Sequence, residues 1–181
     1  CGGHVSLELH TLDRSTSAAL VQDTLHYEHT LPNVYIFGAG HVGRALAMAL
    51  QHLPLAVCLI DSRQVEIDQA ISGIPTKLTP LPEADIRHAP PGSAYVILTH
   101  DHSLDFQLTA EALKRRDASY VGMIGSKTKR AAFMHWAREI DKNLNTKALT
   151  CPIGTTPVAN KAPAVIAAFV ATELLTALSI Q

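Results

Sequence analysis

The stretch Val34-Tyr35-Ile36-Phe37-Gly38-Ala39-Gly40-His41-Val42-Gly43-Arg44 decides the fold. A short apolar run, 34–37, ends in Gly38-x-Gly40-x-x-Gly43, and an Ala/Leu-rich segment, 44–53, follows at once. Strand, glycine turn and helix in that order open a Rossmann-type nucleotide fold. The three glycines serve different ends. Gly38 makes the tight turn, Gly40 admits a phosphate to the backbone, and Gly43 lets helix and strand pack closely. The helix N-terminus offers free N–H groups and a partial positive charge, so it favours an anion. A second apolar run, 55–60, ends in Asp61, 18 residues beyond Gly43. An acidic residue there is placed to accept hydrogen bonds from a ribose hydroxyl. The bland alternative is a Rossmann scaffold kept only for its shape, because a fold does not fix a function.

Downstream the chain alternates between strand and helix patterns. Residues 63–71 read as a helix and 74–78 as a strand, and Pro80, Pro82, Pro90 and Pro91 punctuate a crossover with little room for a long helix. Residues 93–99 are nearly all apolar, as in a strand buried on both faces of a parallel sheet. A helix to Arg116, a strand at 119–124 and a helix through about Ile140 follow; 141–147 is a polar connector and 148–157 is irregular. This alternation predicts an α/β protein with a doubly wound, mostly parallel sheet. Right-handed crossovers then bring the C-terminal ends of all strands to one rim.

The closing segment, 162–180, holds 19 residues with one charge, Glu173, close to membrane-spanning length. Thr172, Glu173 and Thr176 interrupt it, and Ile166, Val170, Leu174 and Leu178 form an i, i+4 ridge suited to packing on a sheet. It reads as a buried core helix. At the other end, residues 1–33 read as the remnant of an N-terminal domain with its linker, and 34–181 as the Rossmann-like domain. Val5–Leu9 alternates at period 2 and predicts a strand. Asp13 or Ser15 is placed to cap a short helix through Leu25, with 27–33 as a connector. The chain opens on Cys1-Gly2-Gly3 without Met, which favours a fragment.

A net charge of -1 gives no support for nucleic-acid or membrane-surface binding. Three separated cysteines without a CxxC pair argue against a disulfide framework or a thiolate zinc site, and suit a reducing cytoplasm.

Four clusters fall at the predicted rim. His41 sits at a variable position of the glycine turn, where it either reaches a bound anion or faces solvent. His100-Asp101-His102, with Asp105, is dense enough to bind a divalent metal or to act as acid and base. In an extended chain, however, the two imidazoles supply only two ligands, and Asp101 or Ser103 is equally placed to cap the next helix. Gly125-Ser126-Lys127, with Lys129 and Arg130, puts cations at a helix N-terminus, where they are disfavoured unless an anion joins them. Lys127 and Arg130 share a helix face. Among the cysteines, Cys58 reads as a core residue, Cys151 as either packing or an exposed thiol, and Cys1 as a thiolate for a soft metal or for sulfur.

GAGHVGRAL, Asp61-Ser62-Arg63, THDHSLD, GMIGSKTKR and CPIG, followed by an Ala-rich helix, together resemble the XdhC/CoxI family of xanthine dehydrogenase accessory proteins. The resemblance runs from about Val34 to Leu178. It implies a chaperone that binds the molybdenum cofactor (molybdopterin), supports its sulfuration and inserts it into an apo molybdenum hydroxylase, with a cysteine desulfurase as second partner. By position it implies cofactor contacts from Gly38, Gly40, His41, Gly43, Asp61, Arg63, His100, Asp101, His102, Gly125, Ser126, Lys127 and Arg130, with Cys1 approaching the metal. A homodimer is left open. The alternative is an NAD(P)-binding oxidoreductase domain, motivated by the fingerprint and Asp61. Against it, no nucleophile–base pair or separate substrate domain is evident, so the expected role is not enzymatic.

Overall fold

A computed structural model describes residues 2–155 and 160–178. The chain divides into two compact units, Cys1–Leu31 and Pro32–Gln181. Among the described residues of the first unit the one helix is α1 (Arg14–Thr30), opened by Asp13, whose carboxylate accepts the Thr16 N–H at 2.8 Å. It runs five residues beyond the expected end at Leu25 and carries no buried residue. The strand expected at Val5–Leu9 does not form: Val5, Leu7 and Leu9 are exposed. Alternation marks a strand only when the backbone finds a partner, and no described residue supplies one.

The second unit runs β1 (Asn33–Phe37), α2 (His41–Leu50), β2 (Ala56–Asp61), α3 (Gln64–Ile67), β3 (Thr76–Leu78), α4 (Pro82–His88), β4 (Ala94–Ile97), α5 (His102–Arg115), β5 (Tyr120–Met123), α6 (Lys127–Ile140), β6 (Leu149–Thr150) and α7 (Pro163–Ala177). The six strands form one sheet in the order β3-β2-β1-β4-β5-β6, with every pairing parallel. Strand order reverses between β1 and β4, and that switch point is where open α/β sheets bind ligands, beyond the strands' carboxyl ends.

Period-2 alternation sends neighbouring side chains to opposite faces. Val34 and Ile36 face Leu46 and Leu50 of α2 and Val170 and Leu174 of α7. Phe37, Tyr95 and Ile97 face Ile86 of α4, Leu108 of α5 and Phe133 of α6. The apolar helix α7 lies against α2. Its Glu173 accepts hydrogen bonds from the Tyr120 hydroxyl at 2.6 Å and the Gly154 N–H at 3.0 Å, which satisfies a charge in an otherwise apolar surface. Among the described residues no helix is long and apolar enough to cross a membrane.

Several elements depart from the sequence pattern. A one-turn helix, α3, replaces the longer helix expected at 63–71, and β3 is three residues long. The proline-rich crossover holds α4, because Pro82 stands in its first turn, where the missing N–H costs nothing. The stretch read as irregular contributes β6, whose two residues pair with Val121 and Gly122. So short a strand leaves no periodic trace.

The glycine turn fixes α2 to the sheet. Gly38 has φ +118°, and a Cβ there would lie 2.3 Å from the Leu98 carbonyl oxygen. At Gly43 a Cβ would lie 1.8 Å from the Gly38 carbonyl oxygen, whereas at Gly40 it would meet nothing within 4 Å. Gly43→Ala is therefore expected to lower unfolding free energy by roughly 3 kcal/mol or more, and Gly40→Ala by under ~1 kcal/mol, in urea denaturation. Equal losses would contradict this packing.

Candidate functional site

Three turns stand side by side at the carboxyl edge: Gly38–Gly43 after β1, Thr99–His102 after β4 and Gly125–Lys127 after β5. Asp61 ends β2 on the other side of the glycine turn. The sheet thus brings all these sequence-marked residues to one rim.

The turn after β1 is clamped through both backbone polar groups of Ala39. The Ala39 N–H donates to Asp61 Oδ2 at 2.7 Å, and the Ala39 carbonyl accepts from the Arg44 guanidinium. Arg44 also pairs with Glu66 at 2.6 Å. Asp61 is 7% exposed, and Arg63 binds it through the side chain (Nε and Nη2) and the backbone N–H, each at 3.0 Å. Burial pushes the Asp61 carboxyl up, but donation by the Arg63 side chain and by the Ala39 and Arg63 N–H groups outweighs it and holds the group below the usual carboxylate range. The acceptor that the sequence offered to a ribose is thus occupied within the fold.

Neither a side chain nor a crowding atom closes the other face of this turn. Gly40 begins α2 without a side-chain cap, and His41, its first residue, is exposed. The uncapped first-turn N–H groups suit an anion.

At β4 the two possibilities for Asp101 separate. Its Oδ1 accepts the Ser103 and Leu104 N–H groups at 2.7 and 3.3 Å, so it is the N-cap of α5. His100 and His102 are exposed, and among the described residues no group of three or more His, Cys, Asp or Glu is placed to hold a metal ion. Asp105, which the sequence grouped with this cluster, stands in the first turn of α5 and is fully buried. It accepts the Thr99 N–H at 2.9 Å and the Thr99 hydroxyl at 2.7 Å, and its other oxygen takes the Lys129 ammonium.

That pairing reinterprets the cation cluster. Lys129 serves Asp105, and Arg130 donates to the Leu149 and Cys151 carbonyls at 2.9 and 3.1 Å, tying α6 to β6. Ser126 caps α6 by accepting the Lys129 N–H at 3.1 Å. Two cations are therefore at the helix start because the fold uses them, while Lys127 is exposed to solvent. Sequence spacing put Lys127 and Arg130 on one face but could not show the carbonyls that claim Arg130. Cys151 is buried, and burial raises its thiol, so it is no ready thiolate. Cys58 packs at the margin of the core. Cys1, expected at the metal, lies outside the described residues.

Phe37, Gly38, Ile60, Asp61, Ser62, Pro82, Thr99, His100 and Leu104 line a cleft at the switch point, and it encloses only about 10 Å³, room for one water. Gly40, where a Cβ would meet nothing within 4 Å, does not line that cleft. A hollow of about 640 Å³ sits at the opposite, amino edge, lined by Leu113, Arg116, Tyr120 and Asn143 among others. The uncapped helix start and the open space at Gly40 are at the carboxyl edge, where open α/β sheets bind ligands.

The XdhC Rossmann domain model matches residues 34–174, and the chain belongs to that family. A crystal structure of a xanthine dehydrogenase from Bacillus halodurans is similar at 19% identity with a TM-score of 0.67, covering 82% of this chain. The match takes in 43% of that protein's chain, and at this identity it speaks to the fold. No curated protein matches the chain.

Two outcomes follow from the buried groups. Lys129→Met leaves Asp105 charged and uncompensated, an expected loss of about 3 kcal/mol or more, whereas Lys127→Met should change stability by less than ~0.5 kcal/mol. Comparable urea midpoints for the two would refute the assignment. Asp61 has a lowered folded-state pKa, so its contribution is complete above its unfolded value near 3.9 and fades as pH falls through the folded one. Asp61→Asn should accordingly be less stable at neutral pH and show a flatter decline of the urea midpoint on acidification; an unchanged acid slope would contradict it.

Proposed function

Proceeding from membership of the XdhC Rossmann-domain family, we propose that this chain is part of an accessory protein for a xanthine dehydrogenase-type enzyme. In this reading it binds the molybdenum cofactor, protects it during sulfuration and hands it to the apo-hydroxylase, with a cysteine desulfurase as sulfur donor. The observation that carries the reading is the open glycine turn: Gly40 faces empty space at a helix start that no side chain caps.

The residues fit the phosphate of such a cofactor. The first-turn N–H groups of α2 would receive the anion, His41 lies beside them, and Lys127 on the same rim adds an exposed cation. His100 and His102, exposed at the β4 turn, would border the ring system, and Asp101 holds that turn in place. When bound, the cofactor would supply a soft metal–sulfur centre, which this chain would shield and not transform. The saturated Asp61 carboxylate weighs against the dinucleotide oxidoreductase as the better account.

Anaerobic, reducing purification followed by acid release tests the proposal. A fluorescent pterin should be recovered from the wild-type chain, and Lys127→Glu should cut the yield severalfold while leaving the circular dichroism spectrum unchanged. Wild-type protein that carries no pterin when co-produced with its hydroxylase would overturn the carrier role.

A further inference from the structure

We infer that Arg63 makes this crevice selective against vicinal-diol nucleotides by occupying the acceptor a ribose would use. An ionised carboxylate has about four acceptor positions. At Asp61 all four are filled: Oδ1 takes the Arg63 N–H and Nε, and Oδ2 takes the Ala39 N–H and Arg63 Nη2. The Asp61 side chain is 4% exposed, which leaves no open approach to it.

Arg63 is itself restrained. Its Nη1 lies 3.4 Å from Glu66, and Glu66 is held in turn by Arg44, which grips the Ala39 carbonyl. Swinging Arg63 away would leave Glu66 with Arg44 alone and strip donors from a buried charge, and the second is strongly unfavourable. The adjoining cleft, at about 10 Å³, has room for one water and none for a ribose ring. Phosphate recognition is untouched by this arrangement, because Gly40 is open and α2 is uncapped. The crevice therefore keeps the anion-binding half of a Rossmann site and forgoes the diol-binding half. This selectivity rests on the carboxyl edge being the ligand face, and not on which cofactor is carried.

Binding of NADH to the full chain, followed by its fluorescence and by calorimetry, tests the inference. The wild type is expected to bind weakly, with Kd above about 1 mM. Arg63→Ala frees about two acceptor positions and should tighten NADH by about tenfold or more, the scale of one added charge-assisted hydrogen bond. Adding Asp61→Asn to that variant should abolish the gain. Arg63→Met, which retains the apolar stem, serves as a second folded variant. Micromolar NADH binding by the wild type, folded Arg63 variants without a gain, or a gain that survives Asp61→Asn would each overturn the inference. Failure to recover a pterin from the wild type would leave this result unaffected, so the two readings fail separately.

Discussion

The two peptide groups that flank the Ala39 Cα are each held by a charged side chain, and the carboxyl edge takes its shape from that grip. A buried carboxylate from β2 holds its N–H, and a guanidinium from α2 holds its carbonyl. With both peptide groups fixed, Gly38 bears on the Leu98 backbone, and Gly43 bears on Gly38. Strand β1, helix α2 and the end of β4 are thereby locked at distances only glycine permits. The consequence is directional: the turn's inner face is committed to packing, and its outer face, at Gly40, is left open.

The same logic governs the next turn along the rim. Asp105 is wholly buried, yet it fixes Thr99 by accepting its backbone N–H and its hydroxyl, and is neutralised by Lys129 from α6. A charge in that position is tolerable only with a partner and saturated oxygens. Lys129 thus couples the β4 and β5 turns, while Arg130 couples α6 to β6 through two carbonyls. A cluster that looks like an anion trap in the linear chain resolves into two structural cations and an exposed third.

Most of the fold was legible in the sequence. Apolar runs of four to six residues bounded by glycine, proline and charge marked β1, β2, β4 and β5, because strands buried on both faces need little else. The glycine spacing marked the turn, and the i, i+4 ridge marked α7 as a packed helix. What escaped was short or dependent on distant partners: two-residue β6 has no period to detect, and Val5–Leu9 has the period without a neighbour. The site was half legible. Its residue set reaches one rim as the topology demands, but the roles of Asp61, Lys129 and Arg130 are set by groups 2, 24 and 19–21 positions away in the chain. Only the Asp61–Arg63 contact is local enough to have been read from spacing, as an acid and a base two apart at a strand end.

Two edges of the sheet therefore compete as ligand faces, the larger hollow at the amino edge and the open glycine turn at the carboxyl edge. Fold logic and unsatisfied helix N–H groups favour the second. Amide hydrogen exchange of the chain with and without molybdenum cofactor decides between them most directly. Slowed exchange at 38–43 and 125–127 is the predicted result; slowing confined to 116–121 and 143–148 would contradict the account.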